Sequence, residues 1–343
     1  MALILGLESS CDDTAAALVT SDRRVVAHCV VSQNEAHSPF GGVVPEIAAR
    51  AHVQILPGLV QRVLDEARAN IRDVDAIAAT AGPGLIGGVM VALLTAKGLA
   101  LSTDRPLIAV NHLEGHALSP RLVDPDLDFP YLLLLVSGGH CQILEVLGVG
   151  EYRRLATTID DAAGEAFDKA AKLLGLGYPG GPAIERLARE GNPASVPLPR
   201  PLVGSGEPHF SFAGLKSAVQ RSVASGNHSP QDIAASFQQA VVDVLVDRTR
   251  LALRNSDTPV LVVAGGVAAN QAIRTALQQL ANDSGRGFSV PPAWLCTDNA
   301  AMIAWAGAER LRLGMTDDLA APARARWPLD PDALKVRGAG VKA

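Results

Sequence analysis

The sequence is poor in cysteine, and its four cysteines (Cys11, Cys29, Cys141 and Cys296) lie far apart, with no C-x-x-C pair among them. This spacing argues against a zinc ribbon or a disulfide scaffold, both of which need paired cysteines. It fits a reducing compartment, and we therefore expect a cytoplasmic protein. The N-terminal segment lacks the basic residues of a signal peptide, and apolar runs of membrane-spanning length are missing, so we expect neither a leader nor a membrane anchor.

An excess of positive charge is also lacking, since the formal net charge is -5. A protein that binds nucleic acid alone, mainly through phosphates, is usually basic. If RNA is a partner, a local basic patch or another subunit must supply much of the attraction. The basic residues of the tail are candidates for such a patch, with plain solvation as the alternative: Arg324, Arg326, Lys335 and Arg337.

Apolar residues, in contrast, make up 48% of the 343 residues and charged residues 19%, a globular composition with enough length for two domains. Each half begins with a strand, a polar turn and further strands. Each half later contains a strand, a glycine turn and a helix, at residues 76–93 and 260–280. This duplication of architecture predicts an α/β protein of two lobes, with a ligand cleft between them.

We predict an N-terminal lobe of residues 1–128, a C-terminal lobe of residues 129–316 and an irregular tail of residues 317–343. The last predicted helix, about 298–313, is assigned to the second lobe, with packing against the first lobe as the alternative. The helix Val89–Leu101 is apolar nearly all round, so we expect it to be packed between layers.

The sharpest local motif contains two histidines at helical spacing. His112 and His116 are four residues apart, so a helix places both on one face, where they can bind one metal ion. Glu114 points elsewhere, unlike the glutamate of a zinc protease. Gly115 costs the helix about 1 kcal/mol relative to alanine, which suggests close approach of another group. Two surface histidines are the alternative interpretation.

A metal site needs a third ligand, and Asp298, just before the last predicted helix, is our candidate. Two histidines and one carboxylate form the set that holds Fe(II) with open coordination positions. The alternative is that Asp298 only caps the helix, which is the commoner use of aspartate there.

Small-residue turns after two predicted strands suggest a phosphate site, because exposed backbone N–H groups of a glycine turn can point at an anion. Ordinary turns, solvated acids and plain connectors are the alternatives. The candidate residues for binding a nucleotide are Leu135, Val136, Ser137, Gly138, Gly139, Asp168, Gly181, Glu185 and Asn270.

The first polar turn, Glu8–Thr14, contains the neighbouring acids Asp12 and Asp13. Carboxylates near a phosphate repel it unless they hold a metal, orient water or hold a nucleophile. A hairpin tip with capping acids is the alternative.

Taken together, nine segments resemble one family in order and in register, from about residue 2 to about residue 330. They are ESSCDDT, GGVVPEIAAR, TAGPGLIGG, NHLEGH, LLVSGGH, IDDAAGEAFDKAAKLLGLGYPGGP, FSFAGLK, AGGVAAN and CTDNAAMIAWAG. The family is that of the tRNA N6-adenosine threonylcarbamoyltransferases, once named glycoprotease. Each segment alone is weakly specific, whereas the ordered set is highly specific.

The resemblance implies an actin/hexokinase/Hsp70-like fold, which is a duplicated ribonuclease H-like unit. It implies an acyltransferase that moves the threonylcarbamoyl group of threonylcarbamoyl-AMP to N6 of the adenosine 3′ of the anticodon, in tRNAs reading codons that begin with A. It also implies that His112, His116 and Asp298 hold one divalent metal, usually iron and sometimes zinc. The nucleotide candidates named above would bind the adenylate, and Asp12 and Asp13 would lie close to the reacting group.

The family works with a paralogous actin-fold subunit lacking the metal site, a small P-loop ATPase and an enzyme that makes the adenylate. Some positions depart from the commoner pattern: Asp13 replaces Glu, Cys141 replaces Thr, and Ala213 replaces Ser. Asn111 stands where some members have a second histidine, so we do not count it as a ligand. A metalloprotease, an actin-fold ATPase or kinase and a scaffold subunit are the competing functions.

Overall fold

The computed structural model describes residues 1–40 and 42–336. In chain order the strands are β1 (Leu3–Glu8), β2 (Asp13–Thr20), β3 (Val25–Ser32), β4 (Ala76–Gly82), β5 (Leu107–Asn111), β6 (Tyr131–Val136), β7 (Cys141–Gly148), β8 (Glu151–Thr157), β9 (Val260–Ala264) and β10 (Gly287–Ser289). The helices are α1 (Asn34–His37), α2 (Pro45–Ala67), α3 (Ile86–Thr103), α4 (His112–Val123), α5 (Ala163–Leu173), α6 (Gly180–Ala188), α7 (Ala213–Ser225), α8 (Pro230–Arg254), α9 (Gln271–Asp283), α10 (Ala293–Cys296) and α11 (Ala300–Arg312).

The chain divides into two compact units. The first contains Met1–Asp128 and Thr297–Pro331, and the second contains Phe129–Cys296 and, of the described tail, residues 332–336. Helix α11 therefore lies with the first unit, which was the alternative that the sequence left open for the last helix.

Each unit is built on its own five-stranded sheet, and the two sheets have the same topology. The order in the first is β3-β2-β1-β4-β5, and in the second it is β10-β9-β6-β7-β8, the same topology read from the opposite edge. In each sheet, the first three strands of the unit form an antiparallel meander. The two remaining strands pair in parallel on the free side of the first strand and so widen the sheet. This repeat confirms the predicted α/β fold and its internal duplication.

Helices cover both faces of the first sheet. Helices α2 and α3 pack on one face, where apolar residues of β1, β2 and β4 meet them in a buried core. Helix α11 crosses the other face so closely that a Cβ on Gly6 of β1 would lie 2.3 Å from the carbonyl oxygen of Ala300. Only glycine fits at that crossing, because real Cβ atoms essentially never come that near another heavy atom.

The prediction that the helix over Val89–Leu101 is packed between layers is wrong for one of its faces. Helix α3 leaves an apolar stripe exposed, because α2 and the sheet cover only part of its circumference: Ile86, Met90, Leu94 and Leu101 are 44–71% exposed. By length and composition alone α3 would also suit a membrane span, with a mean hydropathy of 1.6 over 18 residues, although core helices meet that test too.

The tail has no helix or strand over its described residues, yet its part from Asp317 to Trp327 is held against the first sheet. Asp317 bonds to β5 through its backbone N–H and its carboxylate, at 2.8 Å each. The N–H of Arg324 donates to the carbonyl oxygen of Ala81, and the Arg324 guanidinium lies 4.7 Å from the centre of the Trp327 ring. Arg324 thus has a packing role, whereas Arg337 lies outside the described residues.

Four elements are absent from the sequence prediction: the helices α1, α7 and α10 and the short strand β10. Helix α7 buries Leu215, Ala218 and Val219, Val223 is partly buried, and the remaining positions are polar or small. A narrow stripe of this kind gives little helical periodicity. A carboxylate fixes the start of α7, since Asp160 accepts hydrogen bonds from Phe212 N, Ala213 N and the Ser211 hydroxyl.

Candidate metal centre and nucleotide site

The two histidines lie in the first turns of α4, which follows β5 without a loop. Asn111 caps this helix by accepting a hydrogen bond from the N–H of Leu113 at 2.9 Å. Its amide also donates to the carbonyl oxygen of Trp327 at 2.9 Å. Asn111 is therefore a cap and not a ligand, and the tail segment helps to hold the residue just before His112.

Gly115 is the position where α4 and α11 touch. A Cβ built there would lie 2.8 Å from Cδ1 of Ile303 and 3.2 Å from Cγ of Met302. This contact explains why glycine is tolerated in the helix despite its conformational cost. It also brings the histidine face of α4 beside the chain that enters α11, which carries Asp298.

Asp298 is free to face the histidines because its neighbour caps the helix. The side chain of Asn299 accepts from the N–H of Met302 at 2.9 Å and is the N-cap of α11. The capping alternative for Asp298 is therefore wrong. Oδ1 of Asp298 lies 3.1 Å from Nε2 of His116 and 3.5 Å from Nε2 of His112.

Three potential ligand atoms thus converge, and they lie within 4.8 Å of one another. His116 is fully buried, and His112 is 7% exposed. Burial opposes the charged imidazolium of His112, but the adjacent Asp298 and Glu8 carboxylates outweigh it and hold the His112 pKa well above its ordinary value. Burial likewise opposes ionisation of Asp298, yet the two histidines hold its pKa well below the ordinary range. The cluster attracts a positive charge, which a metal ion can supply in place of the proton.

Glu8 is a functional candidate that the sequence analysis did not single out. It ends β1, is completely buried, and its Oε2 lies 3.0 Å from Nδ1 of His112. Burial disfavours its charge, but the charge and hydrogen bond of His112 hold its pKa below the ordinary value. An acid at the end of an apolar strand was the only sequence signal for it.

The acids of the first polar turn lie near this cluster. Burial, followed by the charges of Asp298 and Asp12, raises the pKa of Asp13 to about 7. Asp13 can therefore take up a proton near neutral pH. The turn itself is fixed from α2, because Nε2 of the buried His52 contacts the carbonyl oxygen of Cys11 at 3.1 Å.

Glu114 points away from the candidate metal ligands, as the sequence predicts. It is 1% exposed and accepts a hydrogen bond from Arg310 of α11 at 2.8 Å. It is thus held by a salt bridge and is not placed as the water-activating glutamate that a metalloprotease needs.

The nucleotide candidates all lie in the second unit. The side chains of Leu135 and Val136 are fully buried in β6, whereas the turn Ser137–Gly139 that follows exposes its two glycines. The N–H of Ser137 donates to the carbonyl oxygen of His140 at 2.8 Å, and the Ser137 hydroxyl accepts from His140 N at 3.1 Å. A ligand could therefore meet the turn but not the Leu135 and Val136 side chains.

Two glycines from other segments allow the chain to approach this turn. A Cβ on Gly164, at the start of α5, would lie 2.6 Å from the Ser137 carbonyl oxygen. A Cβ on Gly265, which has a φ of +94°, would lie 2.4 Å from the Val136 carbonyl oxygen. In contrast, Gly138, Gly139, Gly181 and Gly266 have open space where a Cβ would point.

The polar nucleotide candidates, Asp168, Glu185 and Asn270, form hydrogen bonds that fix neighbouring segments of the chain. Asp168 accepts from Gly180 N at 2.8 Å and so fixes the start of α6, next to Gly181. Glu185 of α6 accepts from Gln271 N, at the start of α9, at 3.0 Å. Asn270 is the N-cap of α9, with its Oδ1 3.1 Å from Ile273 N. These bonds bring α5, α6 and α9 together.

Two of the three departures from the family pattern, Cys141 and Ala213, lie at a buried position and at a helix start. Cys141, at the start of β7, is fully buried, and burial raises the pKa of its thiol. Ala213 is the first residue of α7. Neither side chain offers the hydroxyl group that commoner family members carry there.

Comparison with known proteins agrees with the fold and with the segment order. The family model described as tRNA N6-adenosine threonylcarbamoyltransferase matches residues 24–305. Proteins of that name from Sphingopyxis alaskensis and Novosphingobium aromaticivorans are 73% and 68% identical, with each alignment covering 100% of both chains.

Solved structures share the fold at low sequence identity. The HypF protein of T. kodakarensis is 17% identical with a TM-score of 0.59, covering 91% of this chain and 48% of its own. Component A of the (R)-2-hydroxyglutaryl-CoA dehydratase of Acidaminococcus fermentans is 16% identical with a TM-score of 0.53, covering 89% and 97%.

The chain is thus a transferase of tRNA modification, built on the actin-like nucleotide-binding fold. It belongs to the tRNA N6-adenosine threonylcarbamoyltransferase family.

Proposed function

We propose that the chain transfers the threonylcarbamoyl group of threonylcarbamoyl-AMP to N6 of the adenosine 3′ of the anticodon, in tRNAs reading codons that begin with A, with release of AMP. The observation that carries this proposal is the full-length match to the family, 73% identical over 344 aligned residues. The convergence of His112, His116 and Asp298 adds independent support from the geometry.

The three converging residues fit a divalent metal ion. They supply two imidazole nitrogens and a carboxylate oxygen, and open coordination positions remain for a ligand. We propose Fe(II), with Zn(II) as the alternative. When bound, such an ion would polarise the carbonyl group or hold the phosphate of the donor.

The second unit would hold the adenylate. The Ser137–Gly139 turn offers backbone N–H groups to the phosphate, with Leu135 and Val136 anchoring it in the sheet. Asp168, Gly181, Glu185 and Asn270 line the segments that would meet the nucleoside. Because the acyl phosphate linkage of the donor is already activated, the reaction needs no covalent enzyme nucleophile.

In the transfer, the adenosine N6 forms a bond to the carbamoyl carbon, and the bond from that carbon to the phosphate oxygen breaks. AMP leaves with the electron pair, and N6 loses a proton. We propose that Asp13, whose carboxylate lies near that of Asp298, takes this proton. Asp12 would orient the reacting group beside it. The adenine is reached in a single-stranded anticodon loop, without opening a duplex.

We expect the reaction to take place in the cytoplasm and with partners, a paralogous actin-fold subunit and a small P-loop ATPase. The net charge of -5 supports sharing of tRNA binding with another subunit. For the paralogous subunit we propose the exposed apolar stripe of α3, to which Val53 of α2 adds a further side chain that is 60% exposed.

Introducing charge on this stripe is expected to abolish association with the paralogous subunit. Met90 and Leu94 are 44% and 55% exposed, so M90E/L94E should leave the fold and the melting temperature unchanged while making the interface costly to form. Co-purification of the two subunits measures the effect. The matched control is V123E, which charges an equally exposed apolar residue at the end of α4. Wild-type recovery of the complex with M90E/L94E would contradict this surface.

The function itself is tested by depleting the gene in its host and measuring tRNA nucleosides by mass spectrometry. We expect threonylcarbamoyladenosine to fall and a wild-type copy to restore it. An unchanged nucleoside level would favour the actin-fold ATPase, kinase or scaffold alternatives. Cleavage of a protein substrate by the purified chain would favour the metalloprotease alternative, which the Glu114–Arg310 pair disfavours.

A further inference from the structure

The buried Glu8 carboxylate meets three donors, two of them uncharged. Its Oε1 accepts from Ser10 N, and its Oε2 accepts from the Thr80 hydroxyl at 2.5 Å. The third contact is Nδ1 of His112, at 3.0 Å from Oε2. The hydroxyl of Ser10 lies 3.1 Å from the same nitrogen.

Only His112, among the described residues, forms an ion pair with Glu8. A fully buried carboxylate is costly unless it is paired and hydrogen-bonded. Ser10 and Thr80 fix the position of the carboxylate without balancing its charge. The balancing positive charge must therefore come from the His112 ring or from a cation bound beyond it.

We infer that Glu8 is a positioning residue for the metal ligand His112, an inference that rests on the proposed metal site. By accepting the Nδ1–H of His112, the carboxylate fixes the tautomer in which Nε2 has its lone pair free. That nitrogen is the one facing Asp298, at 3.5 Å. An anionic acceptor on the far side of a histidine also raises the basicity of the ligating nitrogen.

The two histidines differ in this respect. Nδ1 of His116 is buried without a hydrogen-bond partner among the described residues, although its Nε2 also faces Asp298. Of the two proposed ligands, His112 is therefore the one whose ring is fixed by a hydrogen bond at Nδ1, on the side away from Asp298. Glu8 does not face the ligand side, so it acts through His112 and is not itself a ligand.

The test is the metal affinity of Glu8→Gln, measured with Zn(II) alone by competition with a chromophoric chelator. This substitution keeps the size of the side chain but removes its charge. Loss of a carboxylate partner behind a ligating histidine typically costs about 10–100-fold in metal affinity, and we expect a loss in that range. The matched control is Glu114→Gln. It neutralises a second buried carboxylate, which lies on α4 and is paired with Arg310 and not with a proposed metal ligand. Its affinity should stay within about twofold of wild type, a margin small beside the effect expected of a residue behind a ligand.

A second pair of variants tests the same idea without changing Glu8. Thr80→Val removes the hydroxyl that holds Oε2, and Thr80→Ser keeps it, so only the valine variant should weaken Zn(II) binding. Long-range 15N–1H spectra should show His112 with a proton on Nδ1 in the wild type and a mixture of tautomers in the valine variant.

The outcomes separate the two levels of the proposal. A folded Glu8→Gln variant that binds Zn(II) like the wild type, or a Thr80→Val variant with unchanged affinity and tautomer, overturns the role of Glu8. Wild-type protein that binds no metal, or a His116→Ala variant that binds it equally well, overturns the metal site itself.

Discussion

Replacing His116 with alanine is expected to remove the metal ion and at least about 99% of the transferase activity, while the fold remains intact. One of the three proposed ligands among the described residues is lost, and the side chain is fully buried, so no neighbouring group can take its place without rearrangement. Lewis-acid stabilisation by a metal is worth several kcal/mol, and about 3 kcal/mol corresponds to roughly a hundredfold in rate. Metal content by mass spectrometry and initial rates of threonylcarbamoyladenosine formation measure both effects.

The control for this substitution is His28→Ala, which removes an exposed histidine from β3 of the same unit. It should retain both metal and activity. Circular dichroism and the melting temperature establish that the His116 variant is folded. Stoichiometric metal in a folded His116→Ala protein would show that the ligand assignment is wrong.

The sequence predicts the two histidines well because both lie on one helix. Four-residue spacing fixes His112 and His116 on the same face, whatever the rest of the chain does. Asp298 is different, because it lies 182 residues beyond His116 and only the packing of α4 against α11 at Gly115 brings it near. No local pattern distinguishes it from a helix cap until Asn299 is seen in that role.

Glu8 is a second residue whose role could not be predicted from the sequence. Its proposed role depends on contacts with Thr80, which lies on β4 of the same sheet, and with His112, the first residue of α4 directly after β5. Strand pairing across β1, β4 and β5 creates that cluster, and the polar residues of the first turn give no sign of which acid turns inward. The family resemblance draws attention to Asp12 and Asp13 instead.

The fold follows the sequence where periodicity and turn residues agree. The sequence pattern predicts a helix of roughly residues 230–254 and a strand of residues 260–264, and α8 and β9 have these bounds. Helix α3 is apolar nearly all round, so its sequence does not indicate which face packs against the sheet and α2 and which face is exposed. Its exposed stripe is therefore a property of the tertiary arrangement, and it is where we place a partner.

Replacing Gly265 with alanine is expected to destabilise the second unit and to weaken AMP binding. The φ of +94° is strained for any residue with a Cβ, and the new methyl group would lie 2.4 Å from the Val136 carbonyl oxygen and 3.2 Å from Ser137 N. Backbone strain alone costs about 1–3 kcal/mol, and the clash adds to it. At about 2–4 °C per kcal/mol, we expect the melting temperature to fall by roughly 5–10 °C.

The same displacement would misplace the Ser137–Gly139 turn, whose backbone N–H groups are the proposed phosphate donors. Loss of one hydrogen bond to a charged group costs about 1.5–3 kcal/mol, which is roughly a 10- to 100-fold loss of AMP affinity by calorimetry. Gly266→Ala is the matched control, because a Cβ there meets no atom within 4 Å and should not change the melting temperature. If Gly265→Ala melts like the control and binds AMP like the wild type, the methyl group does not displace the turn and the prediction is wrong. If both variants lose AMP while only Gly265→Ala loses stability, the phosphate lies directly against the backbone of this glycine pair, as a site built from N–H donors requires.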